Sequence, residues 1–272
     1  MSERVFQTAA LVDLACRLAR AAGTAARRGR QADADAGLDR GEVTAATKSS
    51  RTDVVTAHDR AAEAEIVSGL LAERPDDAIV GEEGTSRSGT SGITWYVDPI
   101  DGTTNFLYGY PLWSTSIGAG DEHGALVGAV YVPTTGELFA AARGEGATRN
   151  GRPIRCSEED DLSLALVATG FAYDPAERAR QAARFATLAG HVRDIRRGGS
   201  AAIDLCYTAA GFVDGYYERF LNSWDMAAGE LIAREAGCRS GDFAGGPPRP
   251  EELIVAAPGV FDALRALVDG AD

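Results

Sequence analysis

Apolar side chains recur at helical spacing between Val5 and Arg28, at Phe6, Ala10, Leu14, Leu18 and Ala22, and predict a long first helix. The apolar period lapses over Gly29 to Glu42, a polar stretch with Gly and Asp that reads as a flexible loop. Thr56 to Arg74 reads as a second helix, opened by Thr56 with Asp59 as a capping box using the shorter acid and stopped by Pro75. Ile79-Val80 and Trp95-Tyr96-Val97 are short apolar runs that lead straight into acids, as strands do when they deliver carboxylates to one end of a sheet. Strand-like segments then crowd together at Ser114 to Ala119, Leu126 to Val132 and Glu137 to Ala142, with Asn150-Gly151 as a hairpin signal. After about residue 155 strand and helix alternate. Leu164 to Thr169 precedes a helix at Pro175 to Ala189, and Asp194 to Arg196 precedes one at Ser200 to Ala210. Asp214 to Tyr217 precedes a helix at Trp224 to Ala236, and Leu253 to Ala256 is a last strand before a helix opened by Pro258. The expected class is α/β, with α+β layering. Two subdomains, 1–155 and 156–272, are expected to form one unit around a shared cleft.

Composition narrows the function classes. The chain has 272 residues, 45% hydrophobic and 25% charged, enough for a sizeable core. Its formal charge of −13 carries no basic stripe, and Arg193, Arg196 and Arg197 form only a short local cluster, so no nucleic-acid partner is expected. No apolar run approaches the ~18 residues of a membrane span. The first residues lack the pattern of a secretory leader. Cys16, Cys156, Cys206 and Cys238 are far apart in sequence and read as reduced thiols of a cytoplasmic protein. Three scattered histidines, His58, His123 and His191, leave little material for a zinc site or a Ser-His-Asp triad.

The chemistry gathers in three acidic segments: Gly81-Glu82-Glu83-Gly84, then Asp98-Pro99-Ile100-Asp101-Gly102-Thr103-Thr104-Asn105-Phe106, then Trp224-Asp225 at a helix start. Singly, each has an ordinary reading as a solvated turn, a turn dipeptide or a dipole-complementing acid. Together they say more. Asp98 and Asp101 flank a Pro-Ile corner directly after a strand, so one turn aims both carboxylates at one point. Two carboxylates ~4 Å apart repel by ~4 kcal/mol at an effective dielectric of 20, so a cluster of them calls for cations. Oxygen-only ligands select hard ions, of which magnesium is the usual occupant. Gly102-Thr103-Thr104 opens a short helix whose free amides suit a phosphate, and metals beside a phosphate cradle specify phosphoryl chemistry.

These three segments, in order, resemble the inositol monophosphatase family. Lys48-Ser49-Ser50, Asp53-Val54-Val55-Thr56 with Asp59, Gly199-Ser200-Ala201-Ala202 and Tyr216-Tyr217-Glu218 resemble further family segments, so the likeness runs from about residue 45 to the end. It implies a sugar-phosphatase fold with alternating layers of helices and sheets, and a magnesium-dependent phosphomonoesterase. By position, it implies that Glu82, Asp98 and the Ile100 carbonyl hold one magnesium, that Asp98, Asp101 and Asp225 hold a second, and that a third, weaker ion sits near Glu82. It further implies that Gly102 and Thr103 bind phosphate, that the Thr103 hydroxyl places the attacking water, and that Asp59 supports Thr103. Lys48 has two readings that stay open, a catalytic contributor or a surface lysine. Members of this family are commonly lithium-sensitive and homodimeric, and both are expected here.

Substrate preference is the open part. Gly199, Ser200, Ala201 and Glu218 resemble the family's polyol contacts, and a carboxylate at Glu218 suits vicinal hydroxyls. A surface acid is the alternative for Glu218. Inositol 1-phosphate is the first expectation; histidinol phosphate, fructose 1,6-bisphosphate and 3′-phosphoadenosine 5′-phosphate are alternatives on the same fold. A different class, a regulatory binding protein that keeps the fold, also stays open.

Overall fold

The computed structural model describes residues 2–47 and 54–269. The first half begins with helix α1 (Ser2–Asp35), the short α2 (Arg40–Val43), a ribbon of β1 (Thr44–Thr47) and β2 (Val54–Thr56), and helix α3 (Ala57–Glu73). Next come β3 (Ala78–Gly81), β4 (Ser86–Arg87), β5 (Thr94–Asp101), the six-residue α4 (Thr103–Tyr108), and β6 (Ser114–Asp121). Strands β7 (Gly124–Val132), β8 (Glu137–Ala142), β9 (Gly146–Arg149) and β10 (Arg152–Pro153) follow. A 3-10 turn (Leu162–Leu164) leads into β11 (Leu166–Thr169), α5 (Pro175–Ala189), β12 (Asp194–Arg196) and α6 (Ala201–Ala209). The chain ends through β13 (Gly215–Arg219), α7 (Ser223–Glu235), β14 (Arg239–Gly241), β15 (Glu252–Ala256) and α8 (Phe261–Asp269).

The strands form an eight-stranded sheet, β10-β9-β8-β7-β6-β5-β3-β4, and a five-stranded sheet, β12-β11-β13-β15-β14, besides the β1-β2 ribbon. Three apolar clusters join them into layers. On one face of the larger sheet, Leu11, Leu14, Ala15 and Ala19 of α1 and Ile66 and Leu70 of α3 bury against Trp95, Val97, Ile117 and Val127. On the other face, Ile203 and Leu205 of α6 and Leu231 and Ile232 of α7 lie between Val130 and Phe139 of that sheet and Tyr216 and Val255 of the smaller one. Beyond the smaller sheet, Leu188 of α5 and Leu264 and Val268 of α8 close its outer face. Helix, sheet, helix, sheet, helix is the layered α/β order expected from the sequence. Both faces of β7 are covered, so its buried run is nearly continuous rather than alternating. Gly128 lets α7 approach: a Cβ there would stand 2.7 Å from the Ala228 carbonyl oxygen. That close seat sets the height at which the start of α7 meets the end of β5.

The structure corrects several boundaries. Gly29 to Glu42 is not a loop throughout: α1 continues to Asp35 and α2 begins at Arg40. Tertiary contacts replace the lost apolar period. Arg30 donates to the Phe106 and Leu107 carbonyls, each at 3.1 Å, and Asp33 meets His58 Nε2 at 2.7 Å. Leu164 belongs to the 3-10 turn, whose first amides are drawn to Asp161, and the strand begins at Leu166. Pro258 sits inside a tight turn closed by Val260 N–H to the Ala257 carbonyl at 3.2 Å, so the last helix begins later, at Phe261. The ribbon and the short strands β4 and β14 carry no alternating pattern long enough to register in sequence. The Thr56–Asp59 capping box and the Asn150-Gly151 hairpin, with φ of 51° and 74°, are present as expected.

Candidate active site

Strand β5 lies between β3, parallel, and β6, antiparallel. Its register against β6 slips between Asp98 and Asp101: Asp98 faces Ser116 and Asp101 faces Ser114, so one extra residue is accommodated on β5. Pro99 cannot donate to the ladder, and its carbonyl is taken by the Thr115 hydroxyl at 2.9 Å. The bulge turns Asp98 and Asp101 toward the same end of the sheet. Strand β3 ends with Gly81 opposite Val97, and the Glu82 amide donates to the Val97 carbonyl at 3.1 Å. Glu82 is thereby fixed beside Asp98.

Gly102 caps α4 in the left-handed region, at φ 94°, where a side chain would be strained. A Cβ there would also stand 3.1 Å from the Gly199 carbonyl oxygen. The first turn of α4 carries amides that have no acceptor within the helix. Phe106 packs under it with Ile100, Trp113 and Ala26, and the Asn105 amide donates to the Leu112 and Gly198 carbonyls. The Thr103 hydroxyl lies 3.1 Å from both Asp59 Oδ1 and the Ile100 carbonyl oxygen. Asp59 uses its other oxygen to cap α3 through Thr56. At the start of α7, Asp225 Oδ2 accepts the Asn222 amide at 2.5 Å, a second capping box.

Charge is concentrated here. Burial first, then the neighbouring Glu82, Asp101 and Asp225, hold the Asp98 carboxyl well above the usual range. Burial also raises Asp101, to about 6, against hydrogen bonds from Ser200 and from the Ala202 and Ala201 amides. Asp225 is raised well above its ordinary value, by burial and by Asp101, Glu82 and Glu218. Glu218 is pushed to about 7 by burial, with Tyr216 and Arg197 opposing. Asp225 and Glu218 are partly open to solvent along the cleft, yet protein surrounds them on their other sides. Asp98 Oδ1 is buried with no hydrogen-bond partner among the described residues.

These groups line one cleft of about 560 Å³. Glu82, Asp98, Ile100, Asp101, Gly102, Thr103, Gly199, Ala201, Glu218 and Asp225 all reach it. Asp59 lies behind Thr103. Ser200 lies beneath the wall, its hydroxyl given to Asp101. Lys48 falls outside the described residues. Glu218 is in the cleft rather than on an outer surface, and the Tyr216 hydroxyl donates to its Oε2 at 2.7 Å. The sequence reading missed the far wall, formed by Gly170 to Asp174 and by Arg197. It also missed the Trp224 indole N–H, buried with no partner among the described residues. Arg197 had a signal, the local arginine cluster, but nothing in its spacing pointed to the acids; Gly170 to Asp174 had none.

The sequence profile described as the inositol monophosphatase family matches residues 8–268. The chain belongs to the inositol monophosphatase family. It is similar to the inositol-1-monophosphatase of Mycobacterium leprae, 45% identical over 230 residues that cover 80% of this chain and 79% of that one. It is also similar to a protein named Nus factor SuhB from Vibrio cholerae, 44% identical over 211 residues, 77% of this chain and 79% of that one. Among solved structures, the extragenic suppressor protein suhB of Bartonella henselae superposes with a TM-score of 0.89 at 33% identity, covering 97% of this chain and all of that one, 100%. As a member of the inositol monophosphatase family the protein is a phosphatase, and the family is in general metal-dependent.

The residues present fit a hard divalent cation. The donors are carboxylate and carbonyl oxygens, and Asp98 Oδ1 has an unmet demand. Among the described residues no group of three or more His, Cys, Asp or Glu side chains stands close enough together to hold a metal ion by itself. Asp101 is drawn to α6 and Asp225 to its own cap. A hard divalent ion of magnesium's kind commonly takes one or two carboxylates from the protein, with water and substrate oxygens completing its shell.

Proposed function

We propose that the protein hydrolyses a phosphate monoester of a polyol, inositol 1-phosphate foremost, with magnesium held by Glu82, Asp98, the Ile100 carbonyl, Asp101 and Asp225. One observation carries the reading: buried acids whose charges oppose one another, with an orphaned Asp98 oxygen, share a cleft with the amide-rich start of α4. Bound magnesium would neutralise phosphate oxygens, lower the pKa of a water and stabilise the leaving alkoxide. The chain supplies the rest. Gly102 and Thr103 offer backbone amides to the phosphate. The Thr103 proton is engaged by Asp59 and the Ile100 carbonyl, which leaves the hydroxyl oxygen free to accept from a water and orient it. Glu218, steadied by Tyr216, faces the part of the cleft where the polyol hydroxyls would lie. Residues 1–155 and 156–272 act as two subdomains that contribute opposite walls. Cytoplasmic placement and a homodimer belong to the same reading; no helix among the described residues is long and apolar enough to cross a membrane.

A second reading, a regulatory binding role on the same fold, is favoured by one finding: the Vibrio cholerae relative carries the name Nus factor. Intact acids make turnover the first reading. The deciding experiment is phosphate release from inositol 1-phosphate beside histidinol phosphate, fructose 1,6-bisphosphate and 3′-phosphoadenosine 5′-phosphate. Preference for inositol 1-phosphate supports the assignment; strong preference for another ester replaces the substrate and keeps the chemistry.

A further inference from the structure

Helix α3 carries two buried acids one turn apart, Asp59 and Glu63, on the same face. Asp59 meets Thr103. Glu63 has no part in the site described so far, and it is 4% exposed. Its carboxylate fills the turn that follows β3. Oε2 accepts the Glu83 amide at 2.7 Å; Oε1 accepts the Thr85 amide at 3.1 Å and the Thr85 hydroxyl at 2.6 Å. The ends of the turn are closed by the Gly81 amide to the Thr85 carbonyl at 2.7 Å. Space for the carboxylate exists only because residue 81 has no side chain: a Cβ on Gly81 would stand 2.5 Å from Glu63 Oε2.

We infer that Glu63 is a positioning residue for Glu82, and that the first two turns of α3 act as a rigid bar, holding Thr103 through Asp59 and, one turn further on, the Glu82 turn through Glu63. The peptide between Glu82 and Glu83 is the lever. Its N–H is bound to Glu63, while the Glu82 amide is bound to the Val97 carbonyl beside Asp98. With both amides held, the backbone that carries the Glu82 side chain is fixed beside Asp98, whose carboxyl Glu82 neighbours. Released from Glu63, the 82–83 peptide can rotate and carry Glu82 away. All three donors point at one carboxylate, and only a carboxylate has acceptors on both oxygens; a glutamine in this place sets its NH2 against an N–H. The inference rests on the proposed role of Glu82 as a metal ligand.

The test uses the whole chain, with Mg²⁺ and Mn²⁺ alone as probes. Melting temperature is followed against metal concentration, and amide hydrogen exchange is followed in the metal-free protein. In Glu63→Gln the metal concentration at half-effect should rise at least ~10-fold, the weakening expected when a ligand loses its outer support. High metal should restore turnover. Exchange at the Glu83 and Thr85 amides should accelerate at least ~10-fold, as for a lost buried bond, while α3 stays protected. Thr85→Val, which removes one donor and keeps the shape, should move both readouts the same way by less and covers the case of a poorly folding Glu63→Gln. Asp77→Asn, a buried change outside the site, should lower the melting temperature without moving the metal midpoint. A folded Glu63→Gln with wild-type metal midpoint overturns the inference. Unaccelerated exchange at Glu83 and Thr85 overturns it too. A wild type that shows no metal response, with exchange still accelerated in the variant, defeats the metal reading of Glu82 and leaves the hold of Glu63 on the turn standing.

Discussion

Asp101→Asn separates stability from function in opposite directions. Asp101 is 8% exposed, and its carboxylate joins the end of β5 to the start of α6 through Ser200 and the amides of Ala201 and Ala202, at 3.3 and 2.8 Å. Burial, against those hydrogen bonds, raises its pKa from 3.8 to about 6. A carboxylate raised in the folded state contributes stability that is complete below the unfolded pKa and lost as pH rises through the folded one. Without metal, ionised Asp101 therefore costs the fold about 3 kcal/mol above pH 6, at ~1.4 kcal/mol per pH unit. Asparagine carries no charge to bury. Its oxygen can keep the Ser200 and Ala202 bonds, and its NH2 then faces the Ala201 amide, already the longest bond, a loss of about 1 kcal/mol. The balance favours the variant by about 2 kcal/mol. At ~2–4 °C per kcal/mol for a chain of this size, that is about 4–8 °C in chelator at pH 7.5. Near pH 4 the advantage should vanish. Activity at saturating magnesium should fall at least ~10²-fold, since a charged ligand is lost. Calorimetry in chelator across pH and turnover with magnesium are the assays. A variant that melts well below wild type at pH 7.5, or one that turns over normally, refutes the reasoning.

Glu218→Gln should lower kcat/KM for inositol 1-phosphate by an amount equivalent to ~1.5–3 kcal/mol at most and leave p-nitrophenyl phosphate unchanged; an equal loss on both would make Glu218 a structural support. Lithium, directed at Asp98, Asp101 and Asp225, should inhibit uncompetitively with substrate, and purely competitive inhibition would count against that site. Asp77 is 1% exposed; burial raises its carboxyl, but hydrogen bonds from Arg74, Ser91 and Trp95 outweigh this and hold it below the usual range. Its contribution to stability is present above the unfolded value and lost as pH falls through the depressed one, so Asp77→Asn should cost ~1–3 kcal/mol at pH 7 and flatten the acid limb of the unfolding curve. An unchanged acid limb in urea denaturation would contradict it.

What was legible in the sequence was what local chemistry dictates. The Thr56–Asp59 box, the Asn150-Gly151 turn and the Pro99-Ile100 corner follow from which residues donate, accept or tolerate a given φ; that the corner is a bulge in β5 came from the structure. The acids read in order along the chain meet in one cleft because each follows a strand or opens a helix at the same end of the fold. The polar end of α1 was not legible, because Arg30 and Asp33 are held by partners, Phe106, Leu107 and His58, that are distant in sequence. Ser200 looked like a substrate contact by position, and its hydroxyl turns inward to Asp101. Glu63 gave no signal at all: an acid in the middle of a helix is an ordinary surface residue until Gly81 and Thr85 fold around it.

In the proposed function, this cleft hydrolyses a phosphate monoester with metal held by its acids. The direct measurement is phosphate release from inositol 1-phosphate by the purified chain, first in chelator and then with magnesium restored, with folding checked by melting temperature in both. Turnover should be absent in chelator and return with magnesium. Undiminished turnover in chelator, or a folded chain that releases no phosphate with magnesium present, would contradict it.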